Sequence, residues 1–368
     1  MKIVQVIPSL AKGGAERLVV DLSNSLSNID GIELVLLTFS EKNDFVFLTE
    51  NIKIKTIPAK VIPSLKGAWF KETQELNDFI NQFKPDVIHL HLFESLIVFS
   101  EVLYENAKYF VHFHDNMIQF NKLTWGTIFN KKSWTNRYEF ISIKRKYKSR
   151  KITAISISSN NFEFVKKVVP KTWRTYLSPN AVDLSRFSKS INIGGNHLVT
   201  IGSLNTNKNQ QFLIHTIKRL ISEGIEIYLT IIGDGPLSDE LKLEVQQLNL
   251  QDYIQFTGAI DFPEHILSKS SIYVHSAISE AFGLVFIEAM ACGLPIVAVD
   301  AKGNRDLIQS ESNGYLILKH DVVEFSESVK ELLDNKKLAY YFSENNIKES
   351  KNYGIKNYTN NLLRLYQI

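Results

Sequence analysis

The chain has 368 residues, of which 44% are hydrophobic and 22% charged, with a formal net charge of +3. These values exclude a disordered, collagen-like or coiled-coil protein, and the length predicts two or three domains. No apolar run reaches the roughly 20 residues that cross a bilayer, and the N-terminus lacks the features of a signal peptide. The single cysteine, Cys292, excludes an intrachain disulfide and fits a reducing compartment, so we expect a cytoplasmic protein.

Short apolar, β-branched runs alternate with longer helical patterns along the first half. The predicted strands are Lys2–Pro8, Ile32–Phe39, Ile52–Ile57, Val87–His91, Tyr109–His114, Ile152–Ile155 and Thr172–Leu177. The predicted helices are Ala15–Leu26, Lys66–Phe83, Glu94–Asn106 and a long helix across a basic stretch at 120–151. Near-continuous apolar strands separated by helices are typical of a parallel sheet covered on both faces.

The same alternation restarts in the second half, after a Ser-, Pro-, Asn- and Gly-rich segment, Ser178–Gly195, that is interpreted as a linker. The predicted strands are His197–Gly202, Glu226–Gly233, Tyr253–Thr257, Ile272–Val274 and Ile296–Val299, with helices from Asn209, Pro236, Phe262, Leu284 and Gly303. We therefore predict an α/β fold of two doubly wound, Rossmann-like domains, 1–185 and 186–350, that face a central cleft. A C-terminal helix at 351–368 is expected to pack back on the first domain.

A basic segment spans Phe120–Lys151. It has ten Lys or Arg residues and one acid, Glu139, so it carries +9 while the remainder of the chain carries −6. Its aromatic residues are Trp125, Phe129, Trp134, Tyr138, Phe140 and Tyr147. This mixture suits the anionic surface of a membrane, and nucleic acid as well, whereas a solvated helix face is the simpler alternative. We expect no nucleic acid and a peripheral location on the inner face of the cell membrane.

The strongest motif is SAISEAFGLVFIEAMACGLPIVA, at 276–298. Gly283 precedes a predicted helix from Leu284, and the free N–H groups of a helix N-terminus bind anions. Because Gly283 has no side chain, a phosphate or sugar can approach the backbone there. Glu280 and Glu288 flank this position, and their carboxylates can accept hydrogen bonds from sugar hydroxyls. The motif predicts a site for a phosphorylated sugar; the alternative is two unrelated glutamates, with Glu288 a solvated helix residue.

A turn follows the first strand of each predicted domain. SLAKGGAER places Gly13 and Gly14 at the opening of a helix, a geometry that suits backbone contact with phosphate, but it lacks the full G-x-G-x-x-G pattern of dehydrogenases. IGSLNTNKNQ places Gly202, Ser203 and Lys208 near a helix start, where an ammonium group conflicts with the helix dipole unless an anion is present. A bound diphosphate would resolve this conflict; a flexible surface lysine is the alternative.

Four histidines lie near the ends of two predicted strands. His89 and His91 share one strand face, as do His112 and His114, because side chains alternate with a period of two. Cys is absent nearby and Asp115 is the only close carboxylate in sequence, so we expect core histidines and no metal. We expect His114, at the carboxyl end of its strand, to face the cleft.

Together these residues resemble the family 4 retaining glycosyltransferases of GT-B architecture, also called the glycosyltransferase group 1 family. The resemblance covers nearly the whole chain. It is most specific where the Glu-x7-Glu element of the family stands as EAFGLVFIE, Glu280 to Glu288, followed by AMACGLPIVA. The segment SPNAVDLSRF resembles the interdomain motif of the family, with Ala181 in place of Gly.

The resemblance implies retaining transfer of a sugar from a UDP- or GDP-sugar to a glycan acceptor, expected to be lipid-linked, in surface polysaccharide synthesis. It implies an acceptor-side N-terminal domain and a nucleotide-sugar-binding C-terminal domain. Cationic and backbone donors can stabilise a leaving diphosphate without a divalent ion, and the sequence has no Asp-x-Asp metal motif, so we expect no metal or other cofactor. By the same resemblance His114 lies near the reacting sugar, Glu280 contacts the donor sugar and Lys208 binds the diphosphate, and these three are the expected catalytic residues. The expected donor-binding residues are Gly13, Gly14, Gly202, Ser203, Phe282, Gly283, Leu284, Val285 and Glu288.

One position departs from the family pattern. The family commonly has Arg after the glycine that ends the first strand of the second domain, and here Ser203 follows Gly202. The diphosphate would then depend on Lys208, on helix N-termini and on Arg17 or Lys12. Two alternatives stay open: a nucleotide-sugar epimerase or hydrolase of the same fold, and a non-catalytic nucleotide-sugar-binding partner, which only Ser203 favours. Retention by double displacement and by a front-face reaction are both possible, and we favour the front-face route.

Overall fold

The computed structural model describes residues 1–64, 69–102, 104–120, 130–148 and 150–368. Its contacts divide the chain into two compact units, Met1–Asn180 with Ile355–Ile368, and Ala181–Gly354. The division at Asn180 falls within the segment that we interpreted as a linker. Each unit has its own parallel sheet, so the prediction of two doubly wound α/β domains is confirmed.

The first unit is built on a seven-stranded sheet in the order β3-β2-β1-β6-β7-β8-β9, and a separate hairpin pairs β4 with β5. The strands are β1 (Lys2–Val6), β2 (Glu33–Thr38), β3 (Ile54–Thr56), β4 (Lys60–Ile62), β5 (Phe70–Glu72), β6 (Val87–His91), β7 (Lys108–Phe113), β8 (Ile152–Ser156) and β9 (Arg174–Leu177). The direction of winding reverses between β1 and β6, and open α/β sheets bind ligands at such a point, beyond the carboxyl ends of the strands. The residues that follow β1, β6 and β7 therefore lie at the expected binding edge.

Helices connect these strands. They are α1 (Gly14–Ser27), α2 (Val46–Thr49), α3 (Gln74–Phe83), α4 (Leu92–Phe99), α5 (Lys131–Lys146) and α6 (Ser159–Val168). The predicted helix Lys66–Phe83 is wrong in its first part, because Phe70–Glu72 is strand β5, antiparallel to β4. Residues 65–68 lie outside the described chain. The two aromatic residues of WFKE favour a strand there, and the helix starts only after Thr73.

The predicted helix Glu94–Asn106 is also too long, because α4 ends at Phe99. The Arg150 guanidinium donates to the backbone carbonyls of Phe99, at 3.1 Å, and Val102, at 2.6 Å. A carbonyl at a helix end needs a partner from outside the helix, and a distant arginine provides it here. The sequence next to Phe99 contains no sign of this contact, which comes from a residue about fifty positions further on.

The second unit has a six-stranded parallel sheet in the order β12-β11-β10-β13-β14-β15. Its strands are β10 (His197–Ile201), β11 (Tyr228–Ile232), β12 (Ile254–Gly258), β13 (Ile272–His275), β14 (Ile296–Val299) and β15 (Gly314–Ile317). Its helices are α7 (Gln210–Ser222), α8 (Ser238–Gln247), α9 (Glu264–Leu267), α10 (Leu284–Ala291), α11 (Val322–Asp334) and α12 (Lys336–Ser350). The winding reverses between β10 and β13, so the residues after these strands lie at the switch point of this sheet.

A helix beginning at Gly303 was predicted, and this is wrong beyond its first turn. The structure has a short 3-10 helix at Gly303–Asp306. The Asn304 side chain accepts from the Ala301 N–H at 3.0 Å and donates to the Val299 carbonyl at 2.9 Å. These bonds tie the turn back to the end of β14, so the chain forms a tight loop before β15, a short strand that the sequence patterns did not predict.

The last helix, α13 (Ile355–Gln367), belongs to the first unit although it follows the whole of the second unit in sequence. It packs against α1, where the Thr359 hydroxyl bonds the Ser25 hydroxyl at 2.9 Å. Near its end Tyr366 is 1% exposed and reaches the centre of the seven-stranded sheet. The fold of the first unit therefore uses residues from both ends of the sequence.

Much of the described basic segment is structural. The Tyr147 side chain is fully buried and Phe140 is 5% exposed, so these two rings are not available to a membrane surface, contrary to our expectation. Lys146 pairs with Glu101 and lies 3.9 Å from the ring centre of Trp69. Residues 121–129, with two more of the predicted aromatics, lie outside the described chain. Within the described residues, no helix has both the length and the apolarity that a membrane span requires.

Candidate active site

Four titratable side chains meet at the switch point of the second sheet. The Lys208 ammonium forms an ion pair with the Glu280 carboxylate. His275, the last residue of β13, donates from Nε2 to the same carboxylate oxygen at 3.1 Å. On the other side of the ring, the Tyr273 hydroxyl lies 3.2 Å from His275 Nδ1. Lys208 and Glu280, predicted separately from two motifs, are thus in direct contact, and His275 and Tyr273 complete the cluster.

The electrostatics of this cluster hold Glu280 ionised. Burial by itself would raise the pKa of Glu280, but the hydrogen bond from His275 and the charge of Lys208 outweigh it, and the pKa falls to about 2. Burial lowers the pKa of His275, although the hydrogen bond to Glu280 opposes this. The expected conflict between the Lys208 ammonium and the dipole of α7 is therefore resolved within the protein, because the carboxylate of Glu280 provides the anion.

The turn after β10 fixes the position of Lys208. Its side chain runs along the glycine of this turn, with Cδ and Cε 3.5 Å from where a Cβ of Gly202 would be. The Ser203 carbonyl accepts from the Gln210 side chain at 3.1 Å, and the Ser276 hydroxyl donates to the Lys208 carbonyl at 2.9 Å. A Cβ on Gly233 would lie only 2.0 Å from the Gly202 carbonyl oxygen, so the glycines after β11 shape this turn.

The loop 280–283 leads into α10. Glu280 N–H donates to the Ala301 carbonyl at 3.0 Å, and the Gly303 N–H donates to the Glu280 carbonyl at 3.1 Å, so the loop is held against the end of β14. Gly283 is the N-cap residue and has φ of +93°, where a Cβ would lie 2.5 Å from the Phe286 ring. This position therefore requires glycine both for its backbone angle and for its space.

The remaining predicted residues of this motif take different positions around the start of α10. Phe282 is 1% exposed and packs in the core, so its side chain supports the loop. Leu284 and Val285 open α10 and are partly exposed. Glu288 lies one turn inside α10 and is 9% exposed, which contradicts the alternative of a solvated helix residue.

The glycine turn of the first unit differs from this arrangement. Gly13 is the N-cap of α1 in an extended conformation, and Gly14 is the first helical residue. The Glu16 carboxylate lies against Gly13, with an oxygen 2.2 Å from where a Cβ would be. Arg17 pairs with Asp21 through two contacts of 3.1 Å. This turn thus carries an acid of its own beside the helix start, and an anion bound here would have to displace it.

All four predicted histidines are buried in the first unit. His89, His91 and His112 are fully buried, and His114 is 8% exposed. His91 Nδ1 lies 2.8 Å from His114 Nε2, and His91 Nε2 lies 2.6 Å from Gln5 Oε1. Burial lowers the pKa of His114 to about 3 and the pKa values of the other three well below 6.5, so all four rings are neutral near pH 7.

The histidine cluster resembles a metal site in proximity but differs from one in geometry. His89, His91 and His112 bring one nitrogen each within 4.8 Å of one another. However, the rings of His89 and His112 are stacked, at 5.3 Å and 4° between planes, so their in-plane lone pairs do not converge. Both nitrogens of His91 already have hydrogen-bond partners. Zinc ligands need nitrogens about 2.0–2.1 Å from one point, which this arrangement does not provide.

Four residues of these two clusters were missed in the sequence: Gln5, Tyr273, His275 and Tyr366. Gln5 had a signal, because it is the one polar residue in the apolar run Ile3–Ile7 and a buried amide is costly without partners. His275 had a weaker one, as a titratable residue at the end of a buried strand, five positions before Glu280. Tyr366 had none, because its role depends on the return of α13 to the first unit.

Comparisons with known proteins agree with this architecture. Residues 12–186 match the family model described as Glycosyltransferase Family 4, and residues 182–349 match the model described as Glycosyl transferases group 1. A solved structure of Anabaena HepE in complex with UDP has a TM-score of 0.80 and 18% sequence identity, and covers all of both chains.

Two curated relatives match at the level of sequence. An uncharacterized glycosyltransferase of Haemophilus influenzae is 24% identical over 355 residues, 93% of each chain. An Escherichia coli protein named UDP-Gal:alpha-D-GlcNAc-diphosphoundecaprenol alpha-1,3-galactosyltransferase is 28% identical over 189 residues, 47% of this chain and 49% of that protein. With both family models matched along nearly its whole length, the chain belongs to the group 1 glycosyltransferases and has the GT-B fold.

Proposed function

We propose that this glycosyltransferase transfers a sugar, with retention at the anomeric carbon, from a UDP- or GDP-sugar to a lipid-linked glycan. The observation that carries the proposal is the contact of Lys208 with Glu280 beside the N-terminus of α10. A cation, a carboxylate and free backbone N–H groups are the three kinds of group that a diphosphate-linked sugar needs. The names of the relatives, with UDP in one and a diphosphoundecaprenol acceptor in another, support the donor and acceptor classes.

Each residue has a proposed role at the donor. Lys208 exchanges its contact with Glu280 for the diphosphate, and the backbone N–H groups at Gly283–Val285 bind the same phosphates. Glu280, kept ionised, then accepts hydrogen bonds from the sugar hydroxyls. Glu288 accepts from the ribose hydroxyls, and the turn at Gly202 and Ser203 lies along the phosphates.

Cleavage of the bond between the anomeric carbon and the phosphate oxygen places negative charge on the leaving diphosphate while positive charge develops on the sugar ring. Fixed donors aimed at the leaving oxygens stabilise that transition state, and one such donor is worth about 3–4 kcal/mol. We propose that Lys208 and the backbone N–H groups at the start of α10 perform this role without a divalent ion.

We propose the front-face route for retention, in which the leaving phosphate accepts the proton of the acceptor hydroxyl. A double displacement needs a carboxylate nucleophile. The Glu280 carboxylate accepts from His275 and pairs with Lys208, and its pKa of about 2 makes it a weak base and a weak nucleophile. Failure to trap a glycosyl-enzyme with a slow donor analogue is the expected result; a trapped adduct on Glu280 would refute the front-face route.

We also propose that the exposed part of the basic segment attaches to anionic lipid, close to a lipid-linked acceptor. Lys144, Arg145 and Lys148 are exposed there, and Trp134 is 47% exposed. Flotation with liposomes that contain phosphatidylglycerol should fall when the three cations are changed to Ser together. Lys146 is left unchanged, because its contacts with Glu101 and Trp69 are structural. Equal flotation of the triple variant would reject membrane attachment.

The donor site is tested by binding in the presence of EDTA. UDP-, GDP- and ADP-sugars are screened by thermal shift, since a ligand that binds the folded state raises its stability by mass action. Lys208→Met should abolish the shift, whereas Lys218→Met, an exposed lysine of α7 in the same unit, should retain it. Equal shifts in both variants would refute the assignment of Lys208.

The stereochemistry is tested on the product of the nucleotide-sugar selected by that screen. With lipid-linked oligosaccharide acceptors, NMR of the new linkage should show the anomeric configuration of the donor. Inversion would refute the retaining mechanism, and release of free sugar with every acceptor would instead indicate a hydrolase.

A further inference from the structure

His275 is buried at the end of β13, between a carboxylate and a hydroxyl. Its Nε2 lies 3.1 Å from Glu280 Oε1, which is the same oxygen that pairs with Lys208. Its Nδ1 lies 3.2 Å from the Tyr273 hydroxyl. The proposed function gives roles to Lys208 and Glu280 and none to His275, although the ring holds the oxygen that Lys208 would release.

The partners of His275 determine where its proton lies. An ionised carboxylate only accepts hydrogen bonds, so Nε2 of the ring carries a proton and donates it to Glu280. Burial lowers the pKa of His275 and the charge of Lys208 adds to this, so the ring is neutral near pH 7. Nδ1 of a neutral ring protonated on Nε2 has a lone pair, and the Tyr273 hydroxyl donates to it.

The cluster also has a place for a second proton on this ring. A hydroxyl can donate and accept, so Tyr273 can accept from a protonated Nδ1 once its own hydrogen turns away. The Ile201 carbonyl, 3.5 Å from the Tyr273 oxygen, can receive that hydrogen. An imidazolium at His275 would then have a carboxylate on one side and a hydroxyl on the other, and neither N–H would be buried without a partner.

The groups that face His275 come from several elements. Two apolar neighbours are the Phe286 ring of α10, at 4.7 Å between ring centres, and Ala298, in register on β14. Among the described residues, the charged or titratable groups around the ring are Lys208, Glu280, Tyr273 and, acting on Tyr273 from α10, Glu288. Lys208 is thus the cation that opposes a positive charge on the ring.

A bound diphosphate would change this balance. The Lys208 side chain is 21% exposed, so a ligand can reach it. A phosphate that draws the ammonium away from Glu280 removes a positive charge from the neighbourhood of the ring and brings negative charge of its own. Both changes favour the charged form of His275, because an opposite charge nearby stabilises an imidazolium and a like charge destabilises it.

We propose that His275 is a positioning residue for Glu280 and takes up a proton when the diphosphate of the donor takes Lys208. The inference rests on the proposed function, in which Lys208 exchanges Glu280 for the phosphates. The proton comes from solvent and binds Nδ1, and the imidazolium replaces the ammonium as the cationic partner of the carboxylate. Glu280 therefore stays ionised and in position, and donor binding strengthens as the pH falls.

Proton uptake is measured by titration calorimetry at pH 6.5 with the nucleotide-sugar that the thermal-shift screen selects. Each phosphorus of such a ligand has one ionisable oxygen, without the second pKa of about 6 of a phosphomonoester, so the ligand does not titrate. The observed enthalpy should rise with the ionisation enthalpy of the buffer, from PIPES to Bis-Tris. His275→Gln keeps an N–H for Glu280 but takes no proton, so this dependence should vanish while binding remains.

The matched control is His320→Gln. His320 Nε2 lies 2.8 Å from the carbonyl of Ser276, the residue after His275, and this variant should retain the dependence on buffer. From pH 8 to pH 6 the dissociation constant of the wild type should fall about tenfold, and that of His275→Gln should change less than about twofold. Proton uptake that His275→Gln retains and His320→Gln abolishes would overturn the inference.

A measurement on the ligand-free protein separates this inference from the proposed function. In protein labelled with 15N-histidine, the His275 signals are assigned by their loss in His275→Gln. Lys208→Met should raise the pKa of His275, and Lys218→Met should leave it unchanged. An unchanged pKa in Lys208→Met, or donor binding without proton uptake, would overturn the inference alone. If no nucleotide-sugar binds, the proposed function and the donor-driven uptake are both refuted, and a raised pKa in Lys208→Met would still show that Lys208 controls His275.

Discussion

Both units place a histidine at the carboxyl end of a central strand and a tyrosine hydroxyl beside a ring nitrogen, but the two clusters differ in charge. In the first unit the partners of the histidines are an amide and other neutral rings, and no charged side chain is among them in the described chain. In the second unit His275 has a carboxylate partner, which is itself paired with Lys208.

The difference shows what each cluster can do. A neutral network consists of groups that can both donate and accept, so its hydrogen bonds hold the rings in place without a charge. A charged cluster has exchangeable partners, because a phosphate can replace the carboxylate at the ammonium group. The two clusters thus use opposite kinds of electrostatics, and the predictions below test this contrast.

Removing the cation of the charged cluster should have the largest effect. Lys208→Met should lower turnover by about 100-fold or more, because it removes a donor to the leaving group. It also leaves the Glu280 carboxylate without its cation, at a cost of about 3 kcal/mol in the free energy of unfolding. Denaturant unfolding of Lys208→Met, Glu280→Gln and the double variant measures this. The double variant should be less destabilised than the sum; strict additivity would show that the pair does not interact.

A side chain at Gly283, which would block the proposed anion site at the start of α10, should have the next largest effect. Gly283→Ala must adopt φ near +93° and places Cβ 2.5 Å from the Phe286 ring, so we expect a loss of about 2–3 kcal/mol together with loss of nucleotide binding. Gly224→Ala is the matched control, since Gly224 has φ of +79° but nothing within 4 Å of its Cβ. It should cost about 1 kcal/mol and retain binding. Equal costs would show that contact with Phe286 is unimportant.

The contributions of the two clusters to the free energy of unfolding should be lost in different pH ranges. His114 has its pKa lowered from 6.5 to about 3, so the unfolded chain binds the proton more readily and stability falls as the pH drops from 6.5 towards 3. Glu280 has its pKa lowered from 4.5 to about 2, so its contribution is complete above pH 4.5 and is lost between 4.5 and 2.

The measurement is the free energy of unfolding from pH 8 to the acid limit in urea. His114→Gln should flatten the decline that begins near pH 6.5, and the other buried histidines should retain the rest of it. Glu280→Gln should flatten only the decline below pH 4.5. A Glu280→Gln curve parallel to the wild type at low pH would show that the carboxylate is not held at low pKa.

The smallest expected effect is an increase in the free energy of unfolding. Lys302 forms the turn beside Glu280 with φ of 69° and ψ of −53°, and the Gly303 N–H donates across it to the Ala301 carbonyl at 2.9 Å. This is a strained γ-turn for a residue other than glycine. Lys302→Gly should raise the free energy of unfolding by about 0.5–1 kcal/mol, and Lys302→Ala, which keeps a Cβ, should not. Stabilisation by Ala as well would assign the effect to the charge.

The sequence predicted the parts of the fold that depend on local pattern. Continuous apolar strands predicted both parallel sheets, because strands that are buried on both faces are mostly apolar. The hairpin of β4 and β5 and the early end of α4 were not predicted. The first consists of strands of three residues each, which are too short for a periodic pattern, and the second depends on Arg150, which is distant in the sequence.

The candidate site was predictable to a similar degree. Gly283 and Glu280 follow from spacing, since a glycine before a helix and an acid in the preceding loop have a defined local geometry. Their contacts with Lys208 and His275 depend on which strands lie side by side, and spacing does not report that. The histidine cluster was predicted only in part. The sequence indicated that His89 and His91 share a strand face and that His112 and His114 share another. The bond from His91 to Gln5 was not predicted, because it depends on β1 lying next to β6.

The return of α13 to the first unit has a consequence for synthesis on the ribosome. Residues 1–180 emerge well before residues 355–368, and the entire second unit is translated in between. Until then Gln5 and His89 lack the phenol of Tyr366, and the apolar face of α1 lacks its covering helix. The nascent first unit must therefore wait in an incomplete state for about 170 residues of translation, with apolar surface exposed that favours chaperone binding and misfolding.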